Sequence, residues 1–341
     1  MTLLSRLLPP RLAQYAAAAG KKERPPGTYA IWAMEAVGAS AAFLYYLHLH
    51  TDLLKPKVDC RLSPTQYTPL KLLSVEPLTH DTSRFRFLVK RPRFDGDEPE
   101  KQADETMATG AWAVDVKDHL VQTSRMYTPV AHAISDSVDE ASGSRSGHLD
   151  LVVKRYDRGS LSRFIHGTRV GDHVEMRGPL PVWPYTANQY KHIYMIAGGT
   201  GVAPMFQVIE RVLADPQSQT AISLLYGSRS PEDILLRDEL DALQKKHGQR
   251  LHIQYLVDHA GGEPSSSSST GAAVSVGMPN RSTVEAFTRA FDKQADVVLV
   301  CGPDPMMNAI SGVRQVGSPH QGPLRGVLAD LGFSPKSVFK F

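Results

Sequence analysis

The chain has 341 residues, 42% of them apolar and 21% charged, with a formal net charge of +3. That length fits two ordinary domains plus a tail, and the composition is that of a globular protein. So small a net charge gives no reason to expect a nucleic-acid partner, and two cysteines, Cys60 and Cys301, exclude a disulfide framework, a Cys-rich zinc site or an iron–sulfur cluster. No metal is expected, and one-electron chemistry would need a bound organic group.

Residues 1–28 carry Arg6, Arg11, Lys21 and Lys22 among Leu and Ala, with no acid before Glu23. This amphipathic, acid-poor stretch reads as a mitochondrial targeting segment. Residues 29–49 are long and apolar enough for a transmembrane helix, with Glu35 the one formal charge inside. A central acid costs about 2.5–3.5 kcal/mol on insertion scales, which the Ala, Leu and aromatic residues offset. Such a helix implies membrane lipid as a partner. The other reading is a soluble amphipathic helix lying on the body, and basic residues on both sides leave the orientation open. Residues 50–69, rich in Pro and Lys, read as a linker.

From residue 70 to residue 184 the pattern is of short alternating strands broken by turns. Ser83 to Val89, His148 to Tyr156, and His173 to Arg177 after a Gly-Asp turn alternate as half-buried strands do. Evenly spaced strands of this kind predict a β-barrel. Phe94 to Thr106 and Ser135 to Gly147 are polar and read as surface loops.

Residues 190–341 change rhythm. His192 to Ala197, Ala221 to Tyr226, Leu251 to Val257 and Asp296 to Cys301 are continuous apolar runs, with helical segments such as Met205 to Leu213, Ile234 to His247 and Thr283 to Phe291 between them. That alternation predicts an α/β domain with a parallel sheet. Gly261 to Ala272, with five consecutive serines, reads as a flexible loop.

Four segments carry candidate chemistry. Arg125-Met-Tyr-Thr-Pro129 ends a strand: Arg suits a pyrophosphate, Tyr127 offers a packing surface and Thr128 a hydrogen bond, although Tyr and Thr are also simply good strand residues. Gly159-Ser-Leu-Ser162 opens a helix, where unpaired amides suit a diphosphate, or where Ser160 or Ser162 caps the helix. Ala197-Gly-Gly-Thr-Gly-Val-Ala-Pro204 joins a buried strand to a helix, a turn that lets a dinucleotide approach the backbone without the G-x-G-x-x-G spacing. Val300-Cys-Gly-Pro303 places a thiol at the carboxyl end of a parallel strand, where ligands bind in such sheets, though a lone Cys there is also compatible with an inert core position.

Taken in order and at these spacings, the segments resemble the NADH–cytochrome b5 reductase branch of the ferredoxin–NADP reductase superfamily, over about residues 70–341. The match runs through Asp81-Thr-Ser-Arg-Phe-Arg-Phe87, Arg125 to Val130, Asp150 to Tyr156, Gly159 to Ser162, Arg177-Gly-Pro179, Gly198 to Pro204, Pro231 to Arg237, Cys301-Gly-Pro303 and Phe341. The resemblance implies FAD in the barrel, NADH on the α/β domain and a haem-protein electron acceptor. It implies that Arg125, Tyr127, Thr128, Pro129, Tyr156, Gly159 and Ser162 hold FAD, with Thr128 near the flavin nitrogen that accepts hydride. Gly199, Thr200 and Pro204 would line the nicotinamide passage, with Cys301, Gly302 and Pro303 close to the transferring carbon and Phe341 beside the flavin. Thr128 and Cys301 are the expected catalytic pair. Asp258 matches an acidic residue that would repel the 2′-phosphate of NADPH, while the neighbouring Ser228-Arg229 pair argues the other way.

Several positions depart from the family pattern: Ala131 for Ser, Leu180 and Pro181 for a Gly-containing turn, Ala203 for Thr, Asp304 within a proline run, and Ser160 for a docking Lys. The leading expectation is an NADH-dependent reductase of a cytochrome b5-like protein at a mitochondrial membrane, either the inner membrane facing the intermembrane space or the outer membrane. The alternatives are a flavoprotein that reduces haem for cytochrome c maturation and a non-catalytic assembly factor that keeps its flavin.

Overall fold

In the computed structural model the described residues are 60–92, 106–107, 110–118, 122–139, 144–259, 274–292, 296–315 and 321–341. The expected targeting segment, the apolar span 29–49 and the Ser-rich loop lie outside them. Among the described residues no helix is long and apolar enough to cross a membrane.

The first domain is a seven-stranded antiparallel sheet made of β1 (Thr68–Pro77), β2 (Thr82–Pro92), β3 (Gly110–Lys117), β4 (Ser124–Tyr127), β5 (Ala131–Asp139), β6 (Ser144–Lys154) and β7 (His173–Pro184). Their order is β4-β3-β7-β1-β2-β6-β5, so the expected barrel is a curled sheet with β4 and β5 as its edges rather than a hydrogen-bonded closure. Alternate residues of five strands meet inside it: Leu70 and Leu72, Phe85 and Phe87, Trp112, Val114 and Val116, Leu149, Leu151 and Val153, then Val174 and Met176. Each such side chain contributes about 1.5–3 kcal/mol on burial. Helix α1 (Ser160–Gly167) covers one opening with Leu161 and Ile165.

Two expectations fail here. Residues 135–147 are not a loop throughout, because β6 pairs with β2 from Lys154 to Ser144 and β5 runs to Asp139. Backbone pairing continues where side-chain alternation has stopped. The linker is also shorter than 50–69. Cys60 is buried in the core, its carbonyl accepts from Lys90 N at 2.9 Å, and Ser63 O accepts from Gly178 N at 2.8 Å.

The second domain is a six-stranded parallel sheet in the order β11-β10-β9-β8-β12-β13. Its strands are β8 (His192–Gly198), β9 (Ala221–Ser228), β10 (Leu251–Val257), β11 (Val274–Val276), β12 (Asp296–Cys301) and β13 (Val338–Lys340). Helices α2 (Val202–Ala214) and α3 (Arg237–Lys246) cover one face through residues such as Val208, Ile209 and Leu240. Helices α4 (Arg281–Phe287), α5 (Asp304–Ile310) and α6 (Gly326–Asp330) cover the other through Val284, Ile310 and Leu328. Burial on both faces is why these strands read as unbroken apolar runs.

The chain leaves β8 toward β9, and β12 lies on β8's other side. The direction of winding reverses there, so the crevice lies at the carboxyl ends of β8 and β12. Residues of the first domain, Ala111, Val130, Val152, Trp183 and Tyr185, pack into the same core as α2. The crevice therefore opens against the curled sheet.

Candidate active site

Two adjoining cavities occupy this junction. The first, about 320 Å³, is walled on one side by Tyr127, Thr128, Val152, Tyr156 and Val182 of the antiparallel domain, and on the other by Thr200, Ala203, Pro204, Cys301, Gly302, Pro303, Arg314 and Phe341. The second, about 270 Å³, lies over the carboxyl ends of β8 to β10 and is lined by Gly199, Gly227, Ser228, Arg229, Asp233, Asp258 and Met278. Lys154, Tyr156, Thr200 and Pro303 line both, so the two are continuous at those residues.

On the sheet side, β4 delivers Arg125 and Tyr127, and Thr128 and Pro129 follow it directly. Burial pushes the Tyr127 phenol up to about 12, so it packs as a neutral ring. Met126 and Tyr156 line the same cavity half exposed, at 50% and 49%, and form an apolar surface facing open space. Arg125 lies at the surface; its Nη1 donates to Ser124 O at 2.7 Å, and no carboxylate pairs with it among the described residues.

The Gly159–Ser162 turn departs from the capping expectation. Gly159 is the N-cap of α1 and has no side-chain cap bond. The Ser162 hydroxyl turns inward instead, accepting from Tyr156 N at 3.1 Å and donating to Gly159 O at 3.2 Å. A Cβ on Gly159 would stand 2.6 Å from that hydroxyl, so glycine is needed there. Ser162 therefore shapes the turn, and the first-turn amides of α1 are what the turn can offer an anion.

On the α/β side, Gly199 to Gly201 form one 3-10 turn before α2. Gly199 has φ +53°, with open space where a Cβ would be; Gly201 lies so close to β12 that a Cβ would meet Cys301 O at 2.3 Å. The Tyr226 hydroxyl donates to Gly199 O at 3.1 Å and accepts from Leu235 N at 3.1 Å, which pins the turn from beneath. Cys301 ends β12 at the cavity wall, and burial pushes its thiol up to about 12 despite the Arg314 cation. A thiol shifted that far upward is protonated near neutrality. The Phe341 amide donates to Val300 O at 3.0 Å, and the ring packs edge-on against Phe339.

Sequence reasoning missed several residues. Gln207 of α2 accepts from Trp112 N at 2.7 Å and donates to Pro129 O at 3.1 Å, tying the helix after the glycine turn to the residue beside Thr128. A Gln among Phe206, Val208 and Ile209 was the available signal, a polar residue on a buried face. Lys154 of β6 reaches Asp81 at 2.9 Å, and Arg229 reaches the same carboxylate at 2.6 Å from the other domain. His80, Asp81 and Asp233 lie close enough to ligate a cation, but Lys154 and Arg229 already neutralise Asp81. Burial alone would raise the Asp81 carboxyl; hydrogen bonds from Lys154, Thr82 and Arg229 outweigh it and hold it well below the usual range.

The site fits a flavin and a dinucleotide on its own chemistry. The first cavity offers an aromatic and apolar slot. Arg125 and the start of α1 are not part of its lining; they stand close in sequence to residues that are, Arg125 two before Tyr127 and Gly159 three after Tyr156. In the second, Ser228 Oγ and Asp258 Oδ1 are buried without a hydrogen-bond partner, an arrangement that ribose hydroxyls would satisfy.

Comparison with known proteins agrees. Residues 69–185 match the oxidoreductase FAD-binding domain and residues 195–312 the oxidoreductase NAD-binding domain. NADH-cytochrome b5 reductase 2 of Neosartorya fischeri is 35% identical over 278 residues, 81% of this chain and 77% of the relative. The protein of that name from Saccharomyces cerevisiae is 31% identical over 313 residues, covering 91% and 95%. Among solved structures, the cytochrome b5 reductase domain of Ulva prolifera nitrate reductase matches with a TM-score of 0.59 at 28% identity, over 82% of this chain and 99% of that domain. Two matched domains, and relatives more than 30% identical across most of their length, establish that the chain belongs to the NADH–cytochrome b5 reductase family of FAD- and NAD-binding oxidoreductases.

Proposed function

We propose that the chain takes hydride from NADH onto FAD and passes electrons to a cytochrome b5-like haem protein, working from a mitochondrial membrane to which residues 29–49 anchor it. The observation that carries the reading is the continuity of the two cavities at Lys154, Tyr156, Thr200 and Pro303. With a flavin ring in the first and the adenosine of NADH in the second, NADH would reach through the shared opening to bring its nicotinamide to the flavin. Bound FAD supplies the conversion between two-electron and one-electron transfer.

The chain's own residues bind, orient and exclude water. Arg125 and the first-turn amides of α1, shaped by Gly159 and Ser162, hold the FAD pyrophosphate. Tyr127, Pro129 and Tyr156 pack the flavin, and the Thr128 hydroxyl donates a hydrogen bond to it. Gly199 and Thr200 admit the dinucleotide backbone, while Pro204, Gly302 and Pro303 confine the nicotinamide. Cys301, a neutral polarizable thiol, makes a contact that brings no competing charge. Phe341 closes the remaining wall. Asp258 accepts from the ribose hydroxyls and disfavours a 2′-phosphate.

The membrane reading rests on residues 1–49: a basic, acid-poor leader followed by an apolar span. It fits the inner membrane facing the intermembrane space, or the outer membrane. Carbonate-washed mitochondrial membranes should retain the full chain, and a chain lacking residues 1–50 should be released; extraction of the full chain would remove the anchor.

The acceptor is tested by stopped flow. Anaerobic NADH should bleach the flavin absorbance within seconds, and purified cytochrome b5 should restore it faster than free ferric haem or cytochrome c. Haem alone outpacing cytochrome b5 would make haem reduction for cytochrome c maturation the better reading.

A further inference from the structure

Arg229 follows Ser228 at the carboxyl end of β9, beside Asp258 in the second cavity. A guanidinium next to a serine hydroxyl at the edge of a ribose site has the chemistry that grips a 2′-phosphate. Yet the side chain is already engaged: Nη2 donates to Asp81 Oδ2 at 2.6 Å, and Nε lies 3.8 Å from Asp233 Oδ2. Asp81 comes from the other domain, in the turn between β1 and β2. It is itself firmly set, because Oδ1 accepts from the hydroxyls of Thr79 at 3.1 Å and Thr82 at 2.9 Å, while Oδ2 also meets Lys154 Nζ at 2.9 Å. Asp233 and Asp258 line this cavity with Lys154 and Arg229, Asp81 pairs with both of those cations, and His80 lies 3.4 Å from Asp81 and 3.6 Å from Asp233. A phosphate dianion placed there meets more carboxylates than Lys and Arg cations, and among the described residues that line the cavity both such cations are already paired with Asp81.

We propose that Asp81 is a specificity-determining positioning residue: by holding Arg229 across the domain boundary it denies the 2′-phosphate of NADPH its cation and so reinforces Asp258 in selecting NADH. This rests on the adenosine ribose lying in the second cavity. It also resolves the conflict between Asp258 and the Ser228-Arg229 pair, since the pair has the chemistry for phosphate but its guanidinium is committed elsewhere.

The test measures binding by calorimetry on purified, FAD-loaded protein, using adenosine 2′,5′-bisphosphate and 5′-AMP as probes. Asp81→Asn keeps the shape of the side chain, removes its charge and frees Arg229. It should tighten the bisphosphate by about tenfold and move 5′-AMP by less than about twofold. Adding Arg229→Ala to Asp81→Asn should abolish the gain. A bisphosphate no tighter in Asp81→Asn, or a gain that survives loss of the guanidinium, overturns the lock. Arg229→Ala alone, a change at a half-exposed side chain, gives a reading independent of how well Asp81→Asn folds. It should weaken the bisphosphate by less than about threefold near physiological salt. A larger loss would mean that Arg229 already grips the phosphate, which also overturns the proposal. 5′-AMP affinity should fall in Asp258→Asn. If it does not, the ribose is not in this cavity and the lock fails with the site; a normal fall with no bisphosphate response sinks the lock alone.

Discussion

Cys301 and Asp258 are both visible as candidates in the sequence, but only their surroundings say what each can do. For Cys301 the sequence left two readings, a ligand contact and an inert core thiol. The structure puts it at the cavity wall with its thiol pushed up to about 12 by burial, a protonated group on the surface of the cavity. At about pH 8 iodoacetamide should label it about three orders of magnitude more slowly than an ordinary cysteine, because the thiolate fraction falls by that factor. Mass spectrometry of the peptide carrying Cys301 measures this, and labelling as fast as in urea would contradict it. Asp258 has a buried oxygen without a partner, which no sequence pattern reveals. Asp258→Ser should raise the NADPH/NADH ratio of kcat/KM by about tenfold, since a like charge is removed from the phosphate's neighbourhood. A ratio that stays put would leave the carboxylate without a part in cofactor choice.

The buried parallel strands were the most readable elements, because an apolar run bounded by glycines has few other meanings. Leu251–Val257 and Asp296–Cys301 occupy their expected residues. Helix starts were less readable. Ile234, Leu235 and Leu236 continue the apolar pattern into α3, but they are a buried plug ahead of it, and Leu236 at φ +56° breaks the helix before Arg237. In α4 the Asn280–Thr283 capping box sets the start at Arg281, two residues before the expected Thr283. The glycine turn was readable as a turn, but its two glycines differ in kind. Gly201→Ala would drive a methyl into the Cys301 carbonyl, so it should cost about 1–3 kcal/mol in urea unfolding. Gly199→Ala meets open space and only the strain of a left-handed residue, about 1–2 kcal/mol. Its methyl would instead meet the dinucleotide, so its main effect should be a higher KM for NADH. Equal effects of the two on KM would remove the distinction.

How the two domains dock was not readable at all, since the contacts join residues far apart in sequence and follow no local periodicity. β3 is buried on both faces, so it lacks the alternation that marks its neighbours. Trp112, Val114 and Val116 enter its own core, while on the other face Ala111 packs with α2 and Asp115 is held by Tyr67 and Arg177. Ion pairs cross the same boundary at Arg84–Glu239, 2.5 Å, and Arg229–Asp81. Because the Asp81 carboxyl is held below its usual range, the unfolded chain binds the extra proton as pH falls. Its contribution is therefore present above the unfolded value of about 3.9 and is lost below it. The melting-temperature gap between the parent and Asp81→Asn should be level near neutrality and shrink steadily below about pH 4; a gap that widens in acid would reverse the sign. Gln207 makes a stronger test of docking, because it is uncharged and its two bonds reach two separate parts of the first domain, Trp112 of β3 and Pro129 after β4. Gln207→Leu preserves bulk but leaves Trp112 N–H and Pro129 C=O buried without partners, each costing about 1–3 kcal/mol. Flavin should still bind, since Arg125 and the α1 turn are untouched. What loosens is the tie between Pro129, next to Thr128, and the helix that follows the Gly199–Gly201 turn. Flavin reduction by saturating NADH should therefore slow while the KM for NADH changes little. A variant that melts earlier yet reduces flavin at the parental rate would make Gln207 a structural strut with no part in aligning the two cofactors.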